Sequence, residues 1–385
     1  MMNLLETDNR TEASAPDSDD APASSGGTHS LSTGSSIGDS PPGRWLHRAA
    51  VVMVAMVWPL IWIGGQVTTY AAGMAVPDWP GTYGYNLFLY PYQTWLFGPF
   101  DLFIEHGHRL LAALVGMVAI VTVALAWLVE PRRWVRWLTV LILVAVIGQG
   151  LLGGVRVILA ARTLAMLHGC TAEIFFALCV TLMAVTSRWW WQQDSAKRLR
   201  SPTNGANGRV PGRGVIFAAS ALVVAAYLQV VLGAQLRHVQ PTASPGGFTH
   251  LVATHLVTAL VVLGLALGIS WRLWSLVRSR TETSGGCGDL ALLKPAWLVV
   301  SLVWLQIGLG LATWVSRYGV PTFAQIGPRS SSYLVKSQAF VESLIITGHV
   351  ATGALVLVTA TFLLLRLLRF RHTRLSLLAP TASGT

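Results

Sequence analysis

The chain has 385 residues, 53% of them hydrophobic and only 11% charged, with a mean hydropathy of +0.56. A soluble domain carries about twice that share of charge, so an ordinary water-soluble globular protein is excluded. The formal charge of +11 calls for no nucleic-acid partner, because the basic residues flank apolar segments, at Arg132, Arg133 and Arg136, at Lys197, Arg198 and Arg200, and at Arg366, Arg369, Arg371 and Arg374, where they would face anionic headgroups.

In chain order, residues 1–43 come first, rich in Ser, Gly, Pro, Asp and Thr. They hold too few large apolar side chains to offset the entropy of folding and are predicted to form a disordered cytoplasmic tail. Their acidic residues (Glu6, Asp8, Glu12, Asp17, Asp19, Asp20, Asp39) argue against a mitochondrial transit peptide, and no apolar stretch reads as a signal peptide. Eight apolar stretches follow, at approximately 46–67, 102–129, 135–155, 163–186, 214–236, 249–272, 295–315 and 339–366. Each has roughly 20 residues, enough at about 1.5 Å rise per residue to cross a hydrocarbon core of about 30 Å. Most Lys and Arg residues fall on the cytoplasmic side if the N-terminus is inside, so the positive-inside rule places both termini in the cytoplasm.

Segment 192–213, with Pro202, Gly205, Gly208, Pro211 and Gly212, interrupts the series at its middle. It reads as a cytoplasmic linker between an N-terminal four-helix bundle at 44–191 and a C-terminal one at 214–370, with a second cytoplasmic tail at 371–385. The predicted fold class is an all-α integral membrane protein of eight transmembrane helices, arranged as two pseudo-symmetric four-helix bundles, N-in and C-in. A Gln-x-x-Leu-Gly pattern supports the duplication. It recurs at Gln149–Gly153, Gln229–Gly233 and Gln306–Gly310, near the outer ends of odd-numbered segments. Glycine there permits close helix contact and glutamine a bond across it; lining of a cofactor pocket is the other reading.

The even-numbered segments each carry a histidine a few residues inside their start: His108, His168, His255 and His349. The internal symmetry matches His108 with His255 and His168 with His349. All four would lie in the outer half of the bilayer, roughly 10–15 Å deep, where an ionisable ring without a partner is costly and marks a functional site. Neutral imidazole suits iron, copper or zinc, and no carboxylate or thiolate cluster accompanies the four as a hydrolytic zinc site would need. Paired helix-borne histidines in an apolar bundle are a usual source of axial ligands for haem iron, and one haem per half is the simplest count. Cys170 and Cys179 fall within the fourth segment and Cys287 in a cytoplasmic loop, so there is neither a disulfide framework nor a C-x-x-C-H attachment.

Glu105 stands three residues before His108 and on the same helix face, whereas the corresponding place in the second half is Val252. That asymmetry points to chemistry in the first half and a structural or electron-transfer haem in the second. An ion pair with Arg109 or Arg156 is the other role open to Glu105. Glu173 and Glu342 are less well placed and read as structural or interfacial.

At this point the chain resembles the haem A synthase family, of the CtaA and Cox15 type. The resemblance covers about residues 45–370 and rests on Gly64-Gly65 and Gly73, the loop Pro77-Asp78-Trp79-Pro80-Gly81, Glu105-x-x-His108-Arg109, Gln149-Gly150-x-Leu152-Gly153-Gly154, and histidines in segments two, four, six and eight. It implies an oxidoreductase of the bacterial cell membrane that converts the C8 methyl of haem O to the formyl group of haem A for terminal oxidase assembly. On that resemblance His108 and His168 hold the substrate haem, His255 and His349 ligate a resident haem b, and Glu105 is the catalytic carboxylate. The expected partners are haem O and haem A, the lipid bilayer, a haem O synthase that hands over the substrate and an electron acceptor that the sequence does not identify; self-association into a homo-oligomer stays open.

Two features depart from the family pattern. The first external loop, 68–101, lacks the cysteine pair that some members carry, which removes a thiol relay from it. Its aromatics Tyr83, Tyr85, Phe88, Tyr90, Tyr92 and Trp95 read either as an interfacial belt or as a cover over the substrate edge. The second feature is His106, which points about 200° away from His108 around the helix and so does not share its iron. His250 is nearer the water boundary than His255, while His238 belongs to an external loop and His29, His47 and His372 to the cytoplasmic side. The same four ligands would also serve a diheme b-type electron-transfer cytochrome, which has no need of Glu105, and the internal duplication alone is shared with repeat-built transporters.

Overall fold

The computed structural model describes residues 43–198, 211–239, 242–281, 290–319 and 340–378. The disordered tail expected at 1–43 lies outside these, Gly43 apart, as do the core of the expected linker (199–210), Cys287 and His29.

Ten α-helices account for nearly all of the described chain: α1 (Arg44–Thr69), α2 (Tyr92–Leu96), α3 (Phe100–Val129), α4 (Arg133–Ile158), α5 (Arg162–Thr186), α6 (Arg188–Arg198), α7 (Arg213–Arg237), α8 (Pro245–Thr281), α9 (Leu290–Tyr318) and α10 (Phe340–Leu378). Eight of them, all but α2 and α6, are long and apolar enough to cross a membrane. Local chemistry sets their ends. Pro91 and Pro99 immediately precede α2 and α3, where the fixed proline φ and missing N–H suit a helix start. The turn from α3 to α4 is closed by Glu130, whose carboxylate accepts from the Arg132 backbone N–H at 3.1 Å and from Arg132 Nε at 2.7 Å. Near the end of α1, Thr68 and Thr69 bond back to the carbonyls of Gly64 and Gly65, a local competitor to helix continuation.

In the first half, α1 packs on α3 and α5, and α4 packs on both of those, closing a ring of four. In the second half, α7 packs on α8 and α10, and α9 closes the ring between them. The rings meet where α1 touches α10, α5 touches α7, and α5 touches α10. Accordingly 56% of the apolar window of α5 and 50% of that of α10 are buried, against 17–33% in the other six. These two are the central helices. Outward residues such as Leu128 (80% exposed) and Phe217 (77%) are apolar, a surface that suits hydrocarbon rather than water.

The long helices overrun the segments read from hydropathy. α10 continues to Leu378, through residues assigned to the second tail, where Thr373 extends the buried stripe of Leu363, Leu367 and Phe370 at helical spacing. α6 runs into the stretch assigned to the linker, and α10 packs against it. The arginines there serve protein contacts: Arg366 donates to the Ala291 carbonyl, Arg369 to that of Trp190 and Arg371 to that of Pro211, and Arg366 and Arg369 stack on Trp189 and Trp190. His47, assigned to the cytoplasmic side, bonds Thr186 Oγ1 at 3.1 Å and so ties α1 to the end of α5.

Candidate haem-ligating centres

Each of the four histidines meets a glycine of the preceding long helix. A Cβ added to Gly64 of α1 would lie 3.0 Å from Cε1 of His108 on α3, and one on Gly153 of α4 would lie 3.2 Å from that of His168 on α5. Gly233 of α7 and Gly310 of α9 stand in the same relation to His255 on α8 and His349 on α10, at 3.4 and 3.0 Å. At Gly64, Gly153 and Gly310 a side chain would press on the ring, whereas at Gly233 the approach is an ordinary van der Waals contact. The glycines of the Gln-x-x-Leu-Gly pattern therefore seat the histidines. α1 supplies a fourth such seat that the pattern missed, because Leu60 stands where the others have glutamine.

The glutamines reach the same rings. Gln229 Nε2 lies 3.2 Å from His255 Nε2. With its amide nitrogen turned toward His168, Gln149 donates to His168 Nδ1 at 3.1 Å and accepts from Thr171 Oγ1 at 2.6 Å. On α9 it is the backbone carbonyl of Gln306 that faces His349 Nδ1, at 3.1 Å. Holding one ring nitrogen in this way fixes the ring's orientation and leaves the other to bind. The Nδ1 atoms of His108 and His255 are buried without a hydrogen-bond partner.

The rings of the second half meet, and those of the first lie in one neighbourhood. His255 and His349 face each other with centroids 6.4 Å apart and planes at 69°, and His108 lies within electrostatic reach of His168. Two imidazoles sharing one metal ion stand with centroids roughly 6 Å apart, given metal–nitrogen distances of about 2 Å. Among the described residues no three His, Cys, Asp or Glu converge, so the donors come as pairs. Unpartnered ring nitrogens and glycine seats at both pairs, and this spacing at the second, fit a bis-histidine haem.

Beside the first pair the loop 70–99 folds down on α3. Glu105 is 1% exposed, and both its oxygens are engaged: Oε1 accepts from Arg109 at 2.8 Å and Oε2 from the Val76 N–H at 3.0 Å. Arg109 also donates to the carbonyls of Val76, Asp78 and Gly81, so the pair Glu105–Arg109 clamps the loop. Trp79 fills the space left by the missing side chain of Gly154. Asp78 accepts from the Tyr83 and Gly84 N–H groups at 2.8 and 2.9 Å. Burial opposes its charge, but those two bonds and Arg109 outweigh it and hold its carboxyl below the usual range.

His106, left without a role by the sequence, is 1% exposed under this loop. It bonds Thr82 Oγ1 at 3.0 Å and packs between Tyr90 and Trp95, with centroids 5.2 and 5.0 Å away. The aromatics thus divide: Tyr90 and Trp95 anchor the loop, while Tyr83, Tyr85, Phe88 and Tyr92 are exposed. Outside the two centres, His250 and His372 are exposed, and His238 caps α7, half-buried. Glu173 is buried on α5, with Oε2 lacking a partner.

Residues 47–245, more than half of the chain, match the family model described as COX15-CtaA, cytochrome oxidase assembly protein. The chain belongs to that family. It is also similar to a protein named heme A synthase from Shouchella clausii (strain KSM-K16), 27% identical over 210 residues, which covers 53% of this chain and 63% of that protein. The chain thus spans less than two thirds of that relative's length. Family membership and eight apolar helices together make it a multi-pass bacterial membrane protein.

Proposed function

We propose that this protein is a haem A synthase, an oxidoreductase that converts the C8 methyl of haem O to a formyl group. The observation that carries the reading is two half-buried histidine pairs, each ring seated on a glycine, in a chain of the COX15-CtaA family and with a buried carboxylate, Glu105, beside only the first pair. His108 and His168 would hold the substrate haem, and His255 and His349 a resident haem b, whose iron supplies one-electron redox chemistry. The halves 44–191 and 214–370 are two four-helix bundles related by an internal two-fold axis near α5 and α10, with both termini cytoplasmic. The ring-and-ring contact pattern and the distribution of Lys and Arg support this.

The chain's own residues contribute in three ways. Gly64 and Gly153 let the imidazoles sit against backbone, so the ligands reach a haem plane inside the bundle. The loop 70–99, clamped by Glu105 and Arg109, keeps water from the ring edge, and a dry site strengthens any electrostatic effect on the reacting methyl. Glu105 places a carboxylate near that edge; it either assists proton removal or stabilises positive charge as the methyl is oxidised. A haem O synthase would supply the substrate, and a separate acceptor would take the electrons.

The test is the identity of haems extracted from membranes in which this protein is co-expressed with a haem O synthase. Haem A is expected from the wild type and not from Glu105→Ala, with both proteins folded and haem-loaded. Haem b and unchanged haem O alone from the wild type would instead assign an electron-transfer cytochrome. Turnover by Glu105→Gln at the wild-type rate would remove the carboxylate's role.

A further inference from the structure

Arg156 lies on α4 three residues after Gly153, a separation that puts both on one helix face. Gly153 seats the His168 ring, so Arg156 stands one turn nearer the end of α4 that carries the loop, with both His108 and His168 in its field. Its guanidinium lies against Gly73, where a Cβ would come within 2.7 Å of Nη1, and its Nε is buried without a hydrogen-bond partner. The neighbouring carboxylate, Glu105, is taken by Arg109 and the Val76 N–H. Ion pairs among the described residues are Glu105–Arg109 and Glu130–Arg132; Arg156 forms neither. A half-buried guanidinium that forms no ion pair and keeps a buried, unpartnered Nε–H is a site for a carboxylate or phosphate.

The second centre is built differently at the matching place. Three residues after Gly310 stands Thr313, a neutral hydroxyl whose Oγ1 is buried without a partner. The arginine nearest in position there, Arg237, four residues after Gly233, donates to the Gly65 carbonyl at 2.6 Å and to Thr69 Oγ1 at 2.7 Å. It is committed to α1, and Arg317, two turns beyond Gly310 on α9, is exposed rather than set into the bundle. Arg237, Arg156 and Arg162 together leave the neighbourhood cationic: burial first, and then these charges, hold His238 below the usual imidazole range.

We propose that Arg156 is a carboxylate anchor of the first centre, taking an anionic substituent of the tetrapyrrole held between His108 and His168, and that the second centre holds its ligand without such a cation. This rests on the haem reading above. An anchor of this kind fixes the rotation of the macrocycle about the line joining the histidines, and so decides which edge faces the Glu105 side.

The experiment uses the full chain in detergent, loaded with iron protoporphyrin IX or with its dimethyl ester, in which both carboxylates are masked. Loss of each to an excess of apo-globin is followed by absorbance. In the wild type, one of two release phases is expected to be roughly tenfold faster for the ester, the order expected for one charge-assisted hydrogen bond. Arg156→Gln should speed that same phase for the free acid to the ester's rate and abolish the distinction, Arg156→Lys should fall between, and the other phase should not change. Wild-type release at one rate for acid and ester overturns the anchor and needs no variant to fold. An acid preference in Arg156→Gln as large as in the wild type overturns it too. A wild-type chain that takes up neither porphyrin overturns the haem reading and the anchor with it.

Discussion

At the residue scale the centres are organised by what is missing. His108, His168, His255 and His349 stand out in the sequence because an ionisable ring in an apolar run is rare, and the structure sets each ring on a glycine and brings His255 and His349 face to face. Their glycine seats were legible only where glutamine marked the helix; on α1, Leu60 hid the repeat. In sequence Arg156 read only as an ion-pair partner open to Glu105, since an arginine near a span end is ordinary, and His106 only as a histidine turned away from the iron of His108. The seats make a sharp expectation. Gly64→Val and Gly153→Val each put methyls where the ring now lies 3.0–3.2 Å from a bare Cβ position. Displacing a ring from its rotamer and site costs roughly 1–3 kcal/mol, so each variant should lose one of the two haems while retaining the other. Gly148→Ala and Gly150→Ala, with nothing within 4 Å of the added carbon, should keep both. Haem-to-protein stoichiometry checks this, and loss of haem from the Gly148 control would show that the seats are not special.

At the element scale the distinctive feature is the loop 70–99. Its composition showed aromatics but not their division, because which rings face inward is decided by His106 and Thr82, far apart in sequence from one another and from Trp95. His106→Ala should leave a cavity between Tyr90 and Trp95 and orphan Thr82, loosening the loop by about 2–4 kcal/mol. The expected readout is faster proteolysis between α1 and α3, with both haems retained; loss of a haem instead would make His106 part of a centre. Asp78 gives the loop an acid limit. Its folded-state carboxyl titrates below the unfolded range, so its contribution is complete above about pH 4 and lost as the pH falls below that. Hydrogen exchange at the Tyr83 and Gly84 amides should rise on acidification in the wild type and be already raised, with no further step, in Asp78→Asn.

At the scale of the whole molecule, hydropathy counted the spans correctly but could not show that α5 and α10 occupy the middle. That follows from the burial of half or more of their apolar windows, against 17–33% in the other spans, and a helix apolar on every side looks alike in sequence whether lipid or protein surrounds it. The same ambiguity hid the seam between the halves, where a single pair of neighbouring glycines does two jobs. Gly64 seats His108, and a Cβ on Gly65 would lie 2.6 Å from Thr347 Cγ2, two residues before His349. Around this contact Arg237 holds the Gly65 carbonyl, and Ser343 bonds the Gln66 side chain. One turn of α1 therefore touches His108 on one side and the helix turn carrying His349 on the other. Gly65→Ala should push α10 rather than α3, since the crowded atom belongs to Thr347. The expected outcome is a changed spectrum or midpoint potential for the haem between His255 and His349, an overpacking cost of about 1–3 kcal/mol, and an undisturbed first centre. Thr347→Ser removes the crowded methyl while keeping the hydroxyl. In the double variant it should restore the second haem's signature, a coupling that only residues in contact display. If Gly65→Ala disturbed the first haem instead, or if Thr347→Ser failed to rescue it, α1 would be no mechanical link between the two centres.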